Sequence, residues 1–166
     1  MNLLPYTQPA ESRIGHVHLK VSDLDRSIAF YEEVMGYTLT QRFGTQAAFL
    51  SAGGYHHHIG LNTWESRGGA PAPSGHPGLY HAAILVPTRE DLAEFLRHTI
   101  ALGYPLEGAA DHGVSHALYL RDPDQNGLEV YWDVPEALWP RDAAGALQMF
   151  SKGLDLQALA ALGLPA

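Results

Sequence analysis

The chain has 166 residues, 46% of them hydrophobic and 17% charged, a composition that builds a folded core without disulfides and excludes a disordered chain. Its formal net charge is −8 with no cluster of Lys or Arg, so no nucleic-acid partner is expected. Cysteine is absent and histidine numbers ten, so any metal site must be built from imidazole and carboxylate.

Residues 1–13 hold no basic region followed by an apolar run, and no stretch approaches the roughly 20 apolar residues of a bilayer span. No membrane association is expected, and the cytoplasm is the expected location. Residues 14–22 (IGHVHLKVS) alternate, with His16, His18 and Lys20 on one face and Val17, Leu19 and Val21 on the other, the period of a strand. Asp23 is a good helix N-cap, and Leu24, Ile28, Tyr31, Val34 and Met35 follow at helical spacing until Gly36. Residues 37–43, 47–52 and 56–63 read as three further strands. Residues 79–86 (LYHAAILV) open a second strand, and Thr88 caps a second helical stripe of Leu92, Phe95, Leu96, Thr99 and Ile100, ended by Gly103. Residues 106–110 and 115–121 read as strands. The turn run Asp122-Pro123-Asp124-Gln125-Asn126-Gly127 leads to a last strand, 128–133. Beyond it, residues 143–150 and 154–162 are Ala/Leu-rich and predict helices ending at Gly163 and Pro165.

Both halves therefore read β-α-β-β-β, and Gly36-Tyr37-Thr38-Leu39 echoes Gly103-Tyr104-Pro105-Leu106. The expected class is α+β: a first module over 14–64, a linker over 65–78, a second module over 79–133 and a helical tail over 134–166, all one functional unit. The repeat also sorts the histidines. His16 and His81 stand at nearly the same point of the two first strands. Glu129 lies in an apolar last strand, where a carboxylate either faces solvent or has a strong partner such as a cation. Taken singly, such residues are ordinarily packed or surface groups. Together, His16, His81 and Glu129 form a two-histidine, one-carboxylate set with open positions. Gly60 stands in module one where Glu129 stands in module two, so a symmetric fourth ligand is missing.

His16 ahead of Val21-Ser22-Asp23-Leu24-Asp25-Arg26-Ser27-Ile28-Ala29-Phe30-Tyr31, and Asp122-Pro123-Asp124 leading to Leu128-Glu129-Val130, resemble the opening and closing motifs of the vicinal oxygen chelate superfamily. The resemblance implies the fold of paired βαβββ modules and metal ligands at His16, His81 and Glu129. Within that superfamily the chain is similar to single-domain catechol 2,3-dioxygenase-like proteins, because Gly60 lacks the Glu of the glyoxalase I branch. That likeness implies catalytic roles for His57, for His112 in His112-Gly113-Val114-Ser115, and for Tyr119 ahead of Arg121-Asp122-Pro123-Asp124. His18, His56, His58, Asn62, Trp64 and His116 are further candidates to line a substrate site. If residues 56–58 are strand, His57 faces away from His56 and His58, and His57 is the one expected at the metal. His76 and His98 are expected to be surface residues. The implied activity is extradiol cleavage of a small aromatic diol by O2, with Fe(II), or with Mn(II), Ni(II) or Zn(II), which the same donors accept. A glyoxalase-like isomerase or transferase and a small-molecule-binding resistance-type protein are the alternatives. The tail could serve a homodimer or a higher homo-oligomer.

Overall fold

The computed structural model describes residues 5–164; residues 1–4 of the expected leaderless start and Pro165 of the expected tail lie outside the described residues. Strands β1 (Val17–Lys20), β2 (Thr38–Phe43), β3 (Ala47–Ser51) and β4 (Ile59–Asn62) form one sheet in the order β1-β4-β3-β2. Strands β5 (Ala82–Leu85), β6 (Gly108–Asp111), β7 (Ser115–Arg121), β8 (Gly127–Asp133) and β9 (Lys152–Gly153) form the other, in the order β5-β8-β7-β6-β9. Each module opens with a strand that runs parallel to its own last strand, and the remaining pairs are antiparallel. The chain is α+β, two βαβββ units as the repeat predicts. Among the described residues no helix is long and apolar enough to cross a membrane.

The helices begin and end where local chemistry dictates. Asp23 caps α1 (Leu24–Glu33), its carboxylate accepting from the Arg26 amide. Thr88 and Asp91 form a reciprocal capping box at the start of α2 (Arg89–Leu102), and Gly103 ends that helix in the left-handed region at φ 64. Leu24, Ile28 and Tyr31 of α1 bury against Leu19, Leu50 and Leu61 of the first sheet; Leu92 and Leu96 of α2 join the same core with Leu118, Leu128 and Val130 of the second.

The two modules are clasped through α1. The turn between β7 and β8 is organised by Asp122, 1% exposed, whose carboxylate accepts from the Asp124 and Asn126 amides and the Asn126 side chain. Asp124 then reaches the other module. It accepts from Ser22 at 2.6 Å, from Arg26 at 2.7 Å and from Ser27 at 3.3 Å, while Tyr31 donates to Asp122 at 3.3 Å. His98 is an exposed surface residue, as expected, and also donates to the Glu33 carbonyl at 2.8 Å, a second tie between the modules.

Two expectations are corrected. Residues 143–150 are not helical; they form the return arm of a hairpin in which Arg141 bridges Leu147, because Asp142 accepts from the Ala144 and Ala146 amides and closes a turn. Of the tail, among the described residues, a 3-10 turn covers Glu136–Leu138 and α3 (Leu156–Ala160) is the α-helix, held on α2 by the fully buried Leu159. Residues 53–58 are a loop, and the strand starts only at Ile59, because Gly53 and Gly54 both take positive φ. Replacing Asp122 with Ala orphans the Tyr31 hydroxyl and two turn amides in the core. Urea denaturation should show a loss of about 3 kcal/mol for Asp122→Ala, against about 1 kcal/mol for Tyr31→Phe.

Candidate active site

On the second sheet the faces are set by alternation along β7 and β8. Tyr119 and Glu129 are direct cross-strand partners on the face away from α2. Ala83 pairs with Glu129 on its other side, and His81 precedes β5 by one residue. Of these, His81 and Tyr119 line a cavity of about 510 Å3 with Tyr80, Glu107, His112, Arg121 and Ser151, and Glu129 sits behind them, in contact with both. A continuous chain of contacts runs beside the cavity. His81 Nε2 lies 2.9 Å from Glu129 Oε2. Tyr119 donates to Glu129 Oε1 at 3.1 Å, or its hydroxyl meets His112 Nε2 at 2.7 Å. His112 Nδ1 in turn lies 3.0 Å from the Phe150 carbonyl oxygen.

Glu129 is 9% exposed in an apolar strand, so its polar partners decide whether it is tolerated. Burial, reinforced by the Glu129 carboxylate, pushes the Tyr119 hydroxyl up to about 12, so it remains a hydrogen-bond donor at neutral pH. The pair His81–Glu129 fits a divalent cation in chemistry and spacing. Two donors each about 2.1 Å from one cation, at a right angle, stand about 3.0 Å apart, and the observed gap is 2.9 Å. Imidazole Nδ1 of His81 is buried without a hydrogen-bond partner.

His16 is not in this cavity. It lies on the outer face of the first sheet, exposed, with the His57 ring 4.5 Å away. His57 in turn touches Phe49 at 4.9 Å and has its Nδ1 2.7 Å from Nδ1 of His56. Burial and the neighbouring imidazoles of His16, His56, His18 and His58 lower the His57 pKa, and burial followed by His16 lowers that of His18. Among the described residues, no three His, Asp or Glu side chains converge on a common point. The residues expected together at one metal are therefore shared between two faces: His81, Glu129, Tyr119 and His112 on one, His16 and His57 on the other.

The other expected lining residues also separate. His18 shares the His16 face, between Phe49 and the half-exposed Trp64. Asn62, two residues beyond Gly60, is buried and its side chain accepts from the Trp64 amide. Because residues 56–58 are loop, strand alternation does not govern them: His56 stands between Tyr55 and His57, whereas His58 bonds Ser51 and is turned toward Tyr37. His116 does not line the cavity; it sits on the opposite face of β7 from Tyr119, against Trp132 and near Asp111. His76 is an exposed residue whose ring meets the Ser74 carbonyl. Tyr80 and Ser151 of the cavity, and the Phe150 carbonyl, carry no sequence signal: a backbone oxygen has no residue signature, and the others are ordinary loop residues.

Gly60 has a steric reason. In register, His18 faces Gly60 in module one as Ala83 faces Glu129 in module two. A Cβ on Gly60 would lie 2.9 Å from Cγ of the His18 ring, which covers the glycine. The histidine ring occupies the space that a carboxylate uses in the other module.

The sequence pattern of the Glyoxalase/Bleomycin resistance protein/Dioxygenase superfamily matches residues 13–130. A Catechol-2,3-dioxygenase of Bacillus subtilis is 38% identical over 153 residues, covering 90% of this chain and 51% of that protein, so the chain spans about half the length of that relative. A lactoylglutathione lyase from Agrobacterium tumefaciens, 24% identical, superposes with TM-score 0.58 over 75% of this chain and 96% of its own. A glyoxalase/dioxygenase from Nostoc punctiforme, 15% identical, superposes with TM-score 0.64 over 80% and 99%. At those identities the two structures speak for the fold alone.

If the His18 ring is what demands glycine at position 60, Gly60→Glu should destabilise the protein by about 1–3 kcal/mol through overpacking. Adding His18→Ala, which copies the small-large pair of module two, should recover most of that loss in thermal denaturation. A double variant no more stable than Gly60→Glu alone would show that the two positions do not compete.

Proposed function

The chain belongs to the glyoxalase/bleomycin resistance protein/dioxygenase superfamily, and from that membership we propose that it is an extradiol-type dioxygenase that opens the ring of a small catecholic substrate with O2. The observation that carries the reading is the run of contacts His81–Glu129–Tyr119–His112 beside one cavity, which His81, Tyr119 and His112 line; it sets a donor pair suited to a cation next to a contacting Tyr–His pair suited to proton transfer. The 38% identity to a catechol dioxygenase supports the same chemistry. His81 and Glu129 would hold a divalent metal, Fe(II) first, with Mn(II), Ni(II) or Zn(II) accepted by the same donors. When bound, such a metal supplies Lewis acidity to the diol and the redox chemistry that O2 needs.

The chain's own groups do the rest. The cavity, about 510 Å3, accommodates a single aromatic ring. His112 Nε2 is placed to take a proton from a substrate hydroxyl and to return it later. The Tyr119 hydroxyl, held protonated, donates to a substrate oxygen. A glyoxalase-like isomerase with a fourth protein donor is disfavoured, because the His18 ring covers Gly60 where that donor would start.

A third donor can come from a partner copy, since the His16 face is exposed and lies outside the cavity. A second copy of the chain, related by a twofold axis, would lay its His16 face over this cavity and receive the same in return. Each site would then combine His81, Glu129, Tyr119 and His112 of one copy with His16 of the partner subunit and His57 of the partner subunit. The modules over 14–64 and 79–133 would thus act together, but across a homodimer.

Anaerobically prepared protein should take up one Fe(II) per chain and turn catechols into yellow ring-opened products in air. Glu129→Gln should lose the metal. His112→Phe and Tyr119→Phe should keep it while kcat falls about 100-fold or more. Full Fe(II) loading without turnover on a broad catechol panel would sink the assignment. Two inactive variants, His16→Ala and Glu129→Gln, unfolded and refolded together, should regain metal and activity at about a quarter of the sites, the statistical share of a shared twofold site. No recovery would place His16 outside the metal site of its partner.

A further inference from the structure

Residues 134–153 follow the last strand of the second module and lie beyond the residues matched to the superfamily. We propose that this segment belongs to the active site, with the backbone carbonyl of Phe150 as the positioning group that fixes the His112 ring. The inference rests on the acid–base role read for His112 above.

A carbonyl oxygen only accepts hydrogen bonds, so the 3.0 Å contact from His112 Nδ1 to the Phe150 oxygen requires the proton on Nδ1. In the neutral ring the lone pair is then on Nε2, so the one Tyr119 hydroxyl proton goes to Nε2, the shorter of its two contacts at 2.7 Å, rather than to Glu129 Oε1 at 3.1 Å. Without the carbonyl, a free imidazole exchanges its proton between the two nitrogens, and nothing holds the lone pair on the nitrogen that faces the substrate. The same two residues are joined a second time: the Phe150 amide donates to the His112 carbonyl at 3.3 Å.

The segment is built to hold that carbonyl in place. Gly113, beside His112, takes φ +77, and a Cβ there would lie 2.6 Å from the Phe150 ring and 2.8 Å from Pro140. The two rings therefore close over a position that only glycine leaves open. Upstream, the Gln148 amide donates to the Pro140 carbonyl and the Trp139 indole to the Val134 carbonyl. Downstream, β9 pairs with β6 through Ala110–Gly153 and Asp111–Lys152, and the Lys152 ammonium stands 4.3 Å over the Phe150 ring. Beyond that, Arg97 of α2 donates to the Ala160 and Leu162 carbonyls at 3.1 and 2.9 Å. Phe150 is pinned from both sides, and Ser151 beside it lines the cavity. A segment that only covered the edge of β6 would not need to meet the His112 side chain.

The test reads the tautomer directly. In full-length protein labelled with 15N-histidine, the ring nitrogens of His112, identified by their loss in His112→Phe, should show Nδ1 protonated and Nε2 unprotonated at pH 8. Phe150→Gly, which frees the carbonyl, and Gly113→Ala, which drives a methyl into the Phe150 ring, should each shift His112 to a mixture of the two tautomers while the His58 and His98 signals stay put. Phe150→Tyr keeps the ring and the carbonyl, so it should read as wild type. In Fe(II)-loaded protein the two disrupting variants should lower kcat about tenfold with KM within twofold. A wild-type His112 protonated on Nε2, or a tautomer that neither disrupting variant moves, overturns the proposal. If the tautomers behave as expected but no catechol is opened, the positioning role of Phe150 stands and the reaction assigned to the cavity fails.

Discussion

Asp122 and Asp124 sit on one turn of the second module and take hydrogen bonds from Ser22, Arg26, Ser27 and Tyr31 of the first. The remaining architecture depends on this clasp. It fixes the start of α1 against the β7–β8 turn, so the helix-covered faces of both sheets share one core. The opposite faces are left outward, each with part of the chemistry. A buried carboxylate costs several kcal/mol unless its oxygens are satisfied, and Asp122 meets that demand with donors from both modules. The same bonds that stabilise the turn therefore also set how the modules stand, and with it the separation of His16 from Glu129.

Duplication supplied two similar scaffolds, and small substitutions at matched positions divided the labour between them. The register pairs His18 with Gly60 in one sheet and Ala83 with Glu129 in the other. A large ring over a glycine fills one face; a small residue beside a carboxylate opens the other. The second module consequently holds the acidic donor and the cavity, and the first presents a cluster of imidazoles in which burial, and after it the neighbouring imidazoles, lower the pKa of His57 and His18. Unprotonated imidazoles are the form that binds a metal.

Much of this was legible before any coordinates. Asp23, Thr88 and Gly103 act where the sequence places them, because capping is local chemistry between neighbours in the chain. Alternation along 14–22 puts His16, His18 and Lys20 on one face, and these three are exposed where Leu19 and Val21 are buried; which way that face turns relative to the second module it does not say. Less was legible where local rules compete with tertiary contacts. The Ala/Leu-rich stretch over 143–150 has good helix propensity, yet Asp142 turns the chain and the return arm is taken up by Pro140, Gly113 and the edge of β6. His116, three residues before Tyr119, falls on the opposite face of β7 for the reason that alternation dictates once the strand's start at Ser115 is known.

The sequence by itself determined the repeated unit, the donor types and the pairing of Gly60 against Glu129, since all of these are properties of residue order and side-chain chemistry. Only the tertiary structure decided which donors meet. Similar positions in a repeat do not converge unless the two copies face each other, and the Asp122–Asp124 clasp turns their donor-bearing faces apart. It also decided that a backbone carbonyl from residue 150 reaches His112, because the position of a peptide oxygen is set by where the chain runs and not by which side chain it carries.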